Sequence, residues 1–182
     1  MKPSDALSEG SGQEIRARVS SRPYTAIVDA VRGLPGEADE GHRMRVVADA
    51  VWEHLHRRGV SWGGFYVPDP DDDHAMVLGP MRDKPACSPI GLHGMCGASY
   101  TSRAAVIVDD VATLGDGYIA CDPKDVSEVV VPLLRADGSC FGVLDLDSYD
   151  RASFDEGDVI GLLEVLMAVG LTSTAEIEIV RY

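Results

Sequence analysis

Cysteine thiols and carboxylates are the residues of this chain best suited by type and spacing to do chemistry. There are four cysteines, and three of them, Cys87, Cys96 and Cys121, fall in the loop-rich middle of the sequence. Glu128 follows soon after Cys121, and an Asp145-Leu146-Asp147 run lies further on. Thiols spread along a chain with no visible secretory leader, with acids near the last of them, suggest thiol redox chemistry, because reducing compartments keep thiols free. Cys121 is the first candidate. Asp122 followed by Pro123 has the pattern of a helix start, and a thiol beside a helix N-terminus feels partial positive charge that favours the thiolate. Lys124 adds to that field while Asp122 and the overall negative charge oppose it, which leaves the direction of its pKa open. The rival reading is a small buried apolar residue, since free cysteine is often buried.

Strand alternation sorts the remaining candidates. If 140–147 is an unbroken strand, Phe141, Val143, Asp145 and Asp147 share one face, and Cys140, Gly142, Leu144 and Leu146 share the other. Two carboxylates beside Phe141 and Val143 are costly to desolvate unless they bind something. The alternative is a strand end turning into solvent at Ser148-Tyr149-Asp150. Cys140 points away from the acids and reads as core. The same alternation over 62–67 puts Trp62, Gly64 and Tyr66 on one face and Phe65 and Val67 on the other. No C-x-x-C pair, no zinc-spaced Cys/His set, no G-x-x-x-x-G-K-[ST] and no H-E-x-x-H occurs, which argues against a metal site or a phosphate cradle. His54 and His56 fall on an outward stretch of a helix and read as solvated.

The elements that must position these residues follow from periodicity. Residues 1–22 read as a flexible tail and 23–182 as one domain. Pro23 starts a helix carrying Tyr24, Ile27, Val28 and Val31, with Gly33 as its stop. Met44, Val47, Val51 and Leu55 mark an amphipathic helix over 37–58 closed by Gly59. Strands are expected over 62–67, 75–78, 104–108, 128–134 and 140–147, with Pro132 marking an edge or a bulge. The 68–73 run is a turn, and 79–97 is irregular and long enough to be functional. Ser153 with Glu156 forms a capping box that opens a long helix with Val159, Leu162, Leu163 and Leu166 inward. The last stretch, 175–182, alternates but is too short to assign. This order predicts an α+β domain, a central antiparallel sheet with its helices gathered on one face.

Composition narrows the function classes. The chain has 182 residues with 16 Lys and Arg against 30 Asp and Glu, a net charge of −14 and a pI near 4.6. Nucleic-acid phosphates and anionic membrane surfaces repel such a chain, so neither is an expected partner. Residues 1–21 hold no continuous apolar stretch of a signal peptide. The longest apolar run, 159–171, is interrupted by Glu164 and too short to span a bilayer. A cytoplasmic location is expected.

Taken in order, several motifs resemble one known family. They are Trp62-Gly63-Gly64-Phe65-Tyr66, Leu78-Gly79-Pro80, Lys84-Pro85-Ala86-Cys87, Cys96-Gly97, Ile119-Ala120-Cys121-Asp122, the run from Ser127-Glu128 to Pro132-Leu133, and Gly142-Val143-Leu144-Asp145-Leu146-Asp147-Ser148. This series is similar to the free methionine-(R)-sulfoxide reductases, small stand-alone GAF-domain enzymes, over most of the chain. The resemblance implies a GAF fold and a homodimer. It implies Cys121 as nucleophile, Cys87 and Cys96 as the resolving or recycling pair, and Glu128, Asp145 and Asp147 around the sulfoxide. Trp62 and Tyr66 would wall the pocket. The implied substrate is free methionine-(R)-sulfoxide, the implied reductant thioredoxin or a similar thiol, and no metal or organic cofactor is needed. Against the family pattern the segment between Cys87 and Cys96 is one residue shorter, and His93 and Tyr118 stand where the family has Lys and His. The alternatives are a non-catalytic GAF module that senses a small ligand and a redox-sensing regulator without turnover. Phe154-Asp155-Glu156, which resembles a cyclic-nucleotide GAF signature, is accounted for as the first turn of a helix.

Overall fold

The computed structural model describes residues 21–34, 37–115, 118 and 121–182. Most of the expected N-terminal tail lies outside the described residues, as do Ile119 and Ala120 of the Cys121 motif.

Among the described residues seven strands form one sheet in the order β3-β2-β1-β6-β5-β4-β7. The strands are β1 (Trp62–Asp69), β2 (Asp72–Arg82), β3 (Ile90–Gly91), β4 (Ala105–Val108), β5 (Ser127–Leu134), β6 (Cys140–Ser148) and β7 (Ile179–Arg181). Neighbours pair antiparallel except β4 and β7, which run parallel. The expected antiparallel sheet is thus a mixed one, with the 175–182 stretch supplying its last strand. Tertiary pairing to β4 makes that short alternating segment a strand.

Three helices, α1 (Tyr24–Val31), α2 (Glu40–Leu55) and α4 (Glu156–Ala168), cover one face. Their apolar stripes meet Phe65, Ile107, Val129, Val131, Leu144 and Leu146 in the main core. Met44, Val47, Val51 and Leu55 are the inward residues of α2, as its periodicity predicts. Asp39 caps its start by accepting from His42 N at 2.7 Å. A short 3-10 turn follows, and Gly59 closes it at a φ of 94°. His54 and His56 are not simply solvated: each ring Nδ1 pairs with the carbonyl one turn back, and His56 stacks on Trp52.

The expectation that all helices gather on one face is corrected by α3 (Met95–Ser102), which lies on the other. Cys96 there joins Trp62, Tyr66, Met76, Val130 and Val143 in a second apolar cluster. This helix is short and rich in Gly and Ser, so it carries no helical periodicity to read. Gly97 lets it press on the chain before it, because a Cβ there would stand 2.2 Å from Leu92 O.

Two further expectations shift. The helix box is Asp155 with Asp158, not Ser153 with Glu156, because the Ser153 hydroxyl is taken by Arg22 at 2.9 Å. The bulge at Pro132 is present, although β5 is an interior strand. Pairing with β4 reaches only Val130, so the proline costs no ladder bond on that side.

Asp158 also receives Arg22 at 2.7 Å and Tyr24 Oη at 3.0 Å, in a site where the Arg22 and Asp158 side chains are 9% and 2% exposed. Removing the acid strands a buried guanidinium. Asp158→Ala is expected to cost about 3–5 kcal/mol, read as a lower urea midpoint with an unchanged slope.

Candidate active site

Strand register builds the site. On the face opposite the three-helix layer, β1, β6 and β5 align Trp62 with Asp147 and Asp147 with Glu128. The next outward row aligns Gly64, Asp145 and Val130, and the row after it Tyr66, Val143 and Pro132. Three carboxylates and two aromatic rings therefore converge from three adjacent strands. Gly64 leaves room for the indole, since a Cβ there would meet the Trp62 ring at 2.6 Å. Phe141 departs from the expected alternation and packs with the helix-side core.

A cavity of about 300 Å³ opens over these rows. Its wall includes Trp62, Tyr66, Glu128, Asp145 and Asp147, together with Cys87, Cys96 and Cys121. All eight residues singled out in the sequence thus meet around one space. Cys96, buried on α3, donates to Asp145 Oδ2 at 3.3 Å. Cys87 and Cys121 are exposed thiols on two connections, β2–β3 and β4–β5, and all four cysteines are unpaired.

The aromatic rings tie the Cys87 connection to the sheet. Trp62 Nε1 donates to Lys84 O at 2.8 Å and Tyr66 Oη to Cys87 O at 2.9 Å. A polar clamp joins the two thiol-bearing connections. Lys84 Nζ pairs with Asp122 Oδ2, and Tyr149 Oη, which donates to the same oxygen at 3.0 Å, accepts from Lys84 at 2.9 Å.

Burial raises the acids. Asp145 is pushed up to about 7 by desolvation, with the Cys96 bond opposing the rise. Desolvation and then Asp145 raise Glu128, against a hydrogen bond from Tyr118. Asp147 is raised by the same two causes in the same order. Clustered carboxylates in a poorly solvated cup cannot all ionise, so the cup holds a proton near neutrality. The Cys121 thiol is likewise pushed up to about 12, by desolvation first and then by Cys87. The helix start expected at Pro123 does not form. Asp122 Oδ1 accepts from Lys124 N at 3.0 Å in a single turn that runs into β5, so no helix terminus lowers the thiol.

Comparison with known proteins places this architecture. The model of the GAF domain matches residues 37–171. The chain belongs to the GAF domain family. GAF domain-containing protein A of Dictyostelium discoideum is 33% identical over 88% of this chain and 93% of its own length. The free methionine-R-sulfoxide reductase of Saccharomyces cerevisiae is 39% identical over 54% of this chain, and the match spans only 55% of that relative's length. The X-ray structure of free methionine-R-sulfoxide reductase from Neisseria meningitidis, in complex with its substrate, superposes with a TM-score of 0.71 at 30% identity, over 84% of this chain and 92% of that one. The motif resemblance drawn from the sequence is matched by relatives of that name. No helix among the described residues is long and apolar enough to cross a membrane.

Sequence reasoning missed several residues of this GAF-domain pocket. Asp125, taken only as part of a helix start, lines the cavity and accepts from Ser61 Oγ at 3.1 Å. The Lys84–Asp122–Tyr149 clamp spans three separate segments and has no local pattern, although Lys84 and Asp122 sit inside the motifs.

Two tests follow from this geometry. Asp145 holds a proton in the folded state that it loses at 3.8 when unfolded. Its contribution to stability is therefore complete below that value and disappears as the pH rises through about 7. Chemical denaturation across this window is expected to show falling stability, and Asp145→Asn to flatten the fall. Lys84→Ala is expected to speed amide exchange around Cys87 and Cys121 while leaving the core strands protected; unchanged exchange there removes the clamp's role.

Proposed function

We propose that this chain reduces free methionine-(R)-sulfoxide to methionine, with Cys121 as the nucleophile and the Glu128, Asp145 and Asp147 cup as the proton source. The observation that carries the reading is the single cavity that joins the Cys121 thiol to carboxylates raised by burial. A pocket of about 300 Å³ suits a molecule the size of a free amino acid.

The Cys121 sulfur attacks the sulfoxide sulfur while an ionised carboxylate of the cup takes the thiol proton. A protonated neighbour among Glu128, Asp145 and Asp147 gives a proton to the departing oxygen. The net change moves one oxygen and one proton. The hydroxyl then passes to the Cys121 sulfur as the bonds from the substrate sulfur to that oxygen and to Cys121 break, so the sulfoxide sulfur gains two electrons and leaves as methionine, and Cys121 loses two and becomes a sulfenic acid. The Cys87 thiol, which lines the same cavity as Cys121, then attacks that sulfur. A disulfide forms and water leaves. A dithiol reductant of the thioredoxin class restores both thiols by exchange. Cys96, fixed by Asp145, stands as the second resolving or recycling thiol. The Trp62 and Tyr66 rings form the apolar wall for the methyl group.

The test supplies the R and S epimers of the free sulfoxide and a peptide-embedded one, each with a dithiol reductant. Turnover of the free R epimer is expected to dominate, to vanish in Cys121→Ser and to fall about 10²–10⁴-fold in kcat in Glu128→Gln. Cys87→Ser is expected to release a first equivalent of methionine and leave a sulfenic acid that dimedone traps. Binding without methionine release overturns the reading in favour of a ligand sensor, and disulfide cycling without substrate loss favours a redox regulator.

A further inference from the structure

The cup has a second property that sulfoxide chemistry does not use. Glu128, Asp145 and Asp147 each offer an oxygen within 4.8 Å of the other two. Glu128 and Asp145 are only 4% and 6% exposed. Glu128 Oε1 and Asp145 Oδ1 nevertheless accept no hydrogen bond. A buried acceptor left unsatisfied costs roughly 1–3 kcal/mol, and more when charged. Among the described residues Asp125 adds a fourth acid to the cavity wall, and no Lys or Arg lines it. Lys84 is committed outside, to Asp122 and Tyr149. Nothing resident in this wall offsets the negative charge.

The occupant that meets three converging oxygens together is compact, cationic and able to bond in several directions. A hard divalent ion has these properties. No two oxygens around one Ca²⁺ stand farther apart than about 4.6–5.2 Å, nor around one Mg²⁺ than about 4.0–4.2 Å, so the 4.8 Å limit on the three cup oxygens falls within the reach of one Ca²⁺. The donor set is oxygen: Cys96, the nearest thiol, already donates to Asp145 and is kept protonated by burial. Oxygen ligands select calcium, manganese or magnesium over softer metals.

We propose that Glu128, Asp145 and Asp147 form a binding site for a hard divalent cation, which competes for the cup with protons and with any sulfoxide bound there. The ion displaces a proton, so its affinity rises with pH. The groups that face the cup are Cys96 from α3, Tyr66 from β1, and Tyr118, Cys121 and Asp125 from the β4–β5 connection. Cys87 and His93 face it from the segments on either side of β3.

The experiment titrates Mn²⁺ alone into the full chain, with no substrate or reductant, and follows free Mn²⁺ by electron paramagnetic resonance. One ion per chain is expected, bound more tightly at higher pH because the ion displaces protons from the carboxylates. Ca²⁺ is expected to displace it. Glu128→Gln and Asp147→Asn are each expected to weaken binding at least about tenfold, and Cys121→Ser to leave it intact. Asp147 is half-buried, so its variant keeps the test valid if Glu128→Gln folds poorly. The absence of binding at millimolar Mn²⁺, or binding that survives both acid substitutions, overturns the site. The measurement needs no turnover, so failure of the reductase reading and failure of this one are read separately. Where turnover is present, Ca²⁺ is expected to raise KM for the sulfoxide and leave kcat unchanged.

Discussion

Strand register is the constraint on which the site depends. Glu128 lies directly opposite Asp147 on β5 and β6, with Asp145 one row away. Side chains alternate along a strand, so a slip of one residue in β6 would carry Asp145 and Asp147 into the helix-side core and bring Leu144 and Leu146 out. The other face prevents it. Val129, Val131, Leu144 and Leu146 are fully buried there, at about 1.5–3 kcal/mol each. Burial that raises Asp145 from 3.8 to about 7 penalises its ionised form by about 4 kcal/mol. The aliphatic face outweighs that penalty, and the acids stay where solvation alone would not put them.

The thiol half of the pocket is held differently. Cys87 and Cys121 belong to connections between strands, and no ladder bonds fix them. Their positions come from hydrogen bonds on side chains: Trp62 to Lys84 O, Tyr66 to Cys87 O, and Lys84 with Tyr149 on Asp122. A rigid acidic floor thus faces a wall made of tethered loops.

Period-two patterns in the sequence revealed the floor. Trp62 with Tyr66, and Asp145 with Asp147, were paired by alternation alone, because strands β1 and β6 are regular where those residues sit. Alternation failed at Phe141, close to the register slip beside Pro132. Helices with long apolar stripes were equally legible, whereas α3 was not, since its Gly-, Ser- and Thr-rich turns pack through tertiary contact. Local cap patterns misled in two places. Arg22 claims the Ser153 hydroxyl, and Asp122 accepts from Lys124 N in a turn that runs into β5 instead of a helix, while Lys84 takes its other oxygen. Such long-range partners leave no trace in a short window of sequence. That the thiols meet the acids was implied only by the family resemblance, because loop closure has no periodicity.

The indole of Trp62 is both a wall of the cavity and the anchor of the chain segment leading to Cys87. One residue therefore controls the shape of the binding space and the reach of a sulfur atom. Altering the ring to admit a bulkier guest would also untether the segment that carries Cys87. At that position the outline of the cavity and the anchoring of a thiol-bearing loop are mechanically coupled, and neither is adjustable alone.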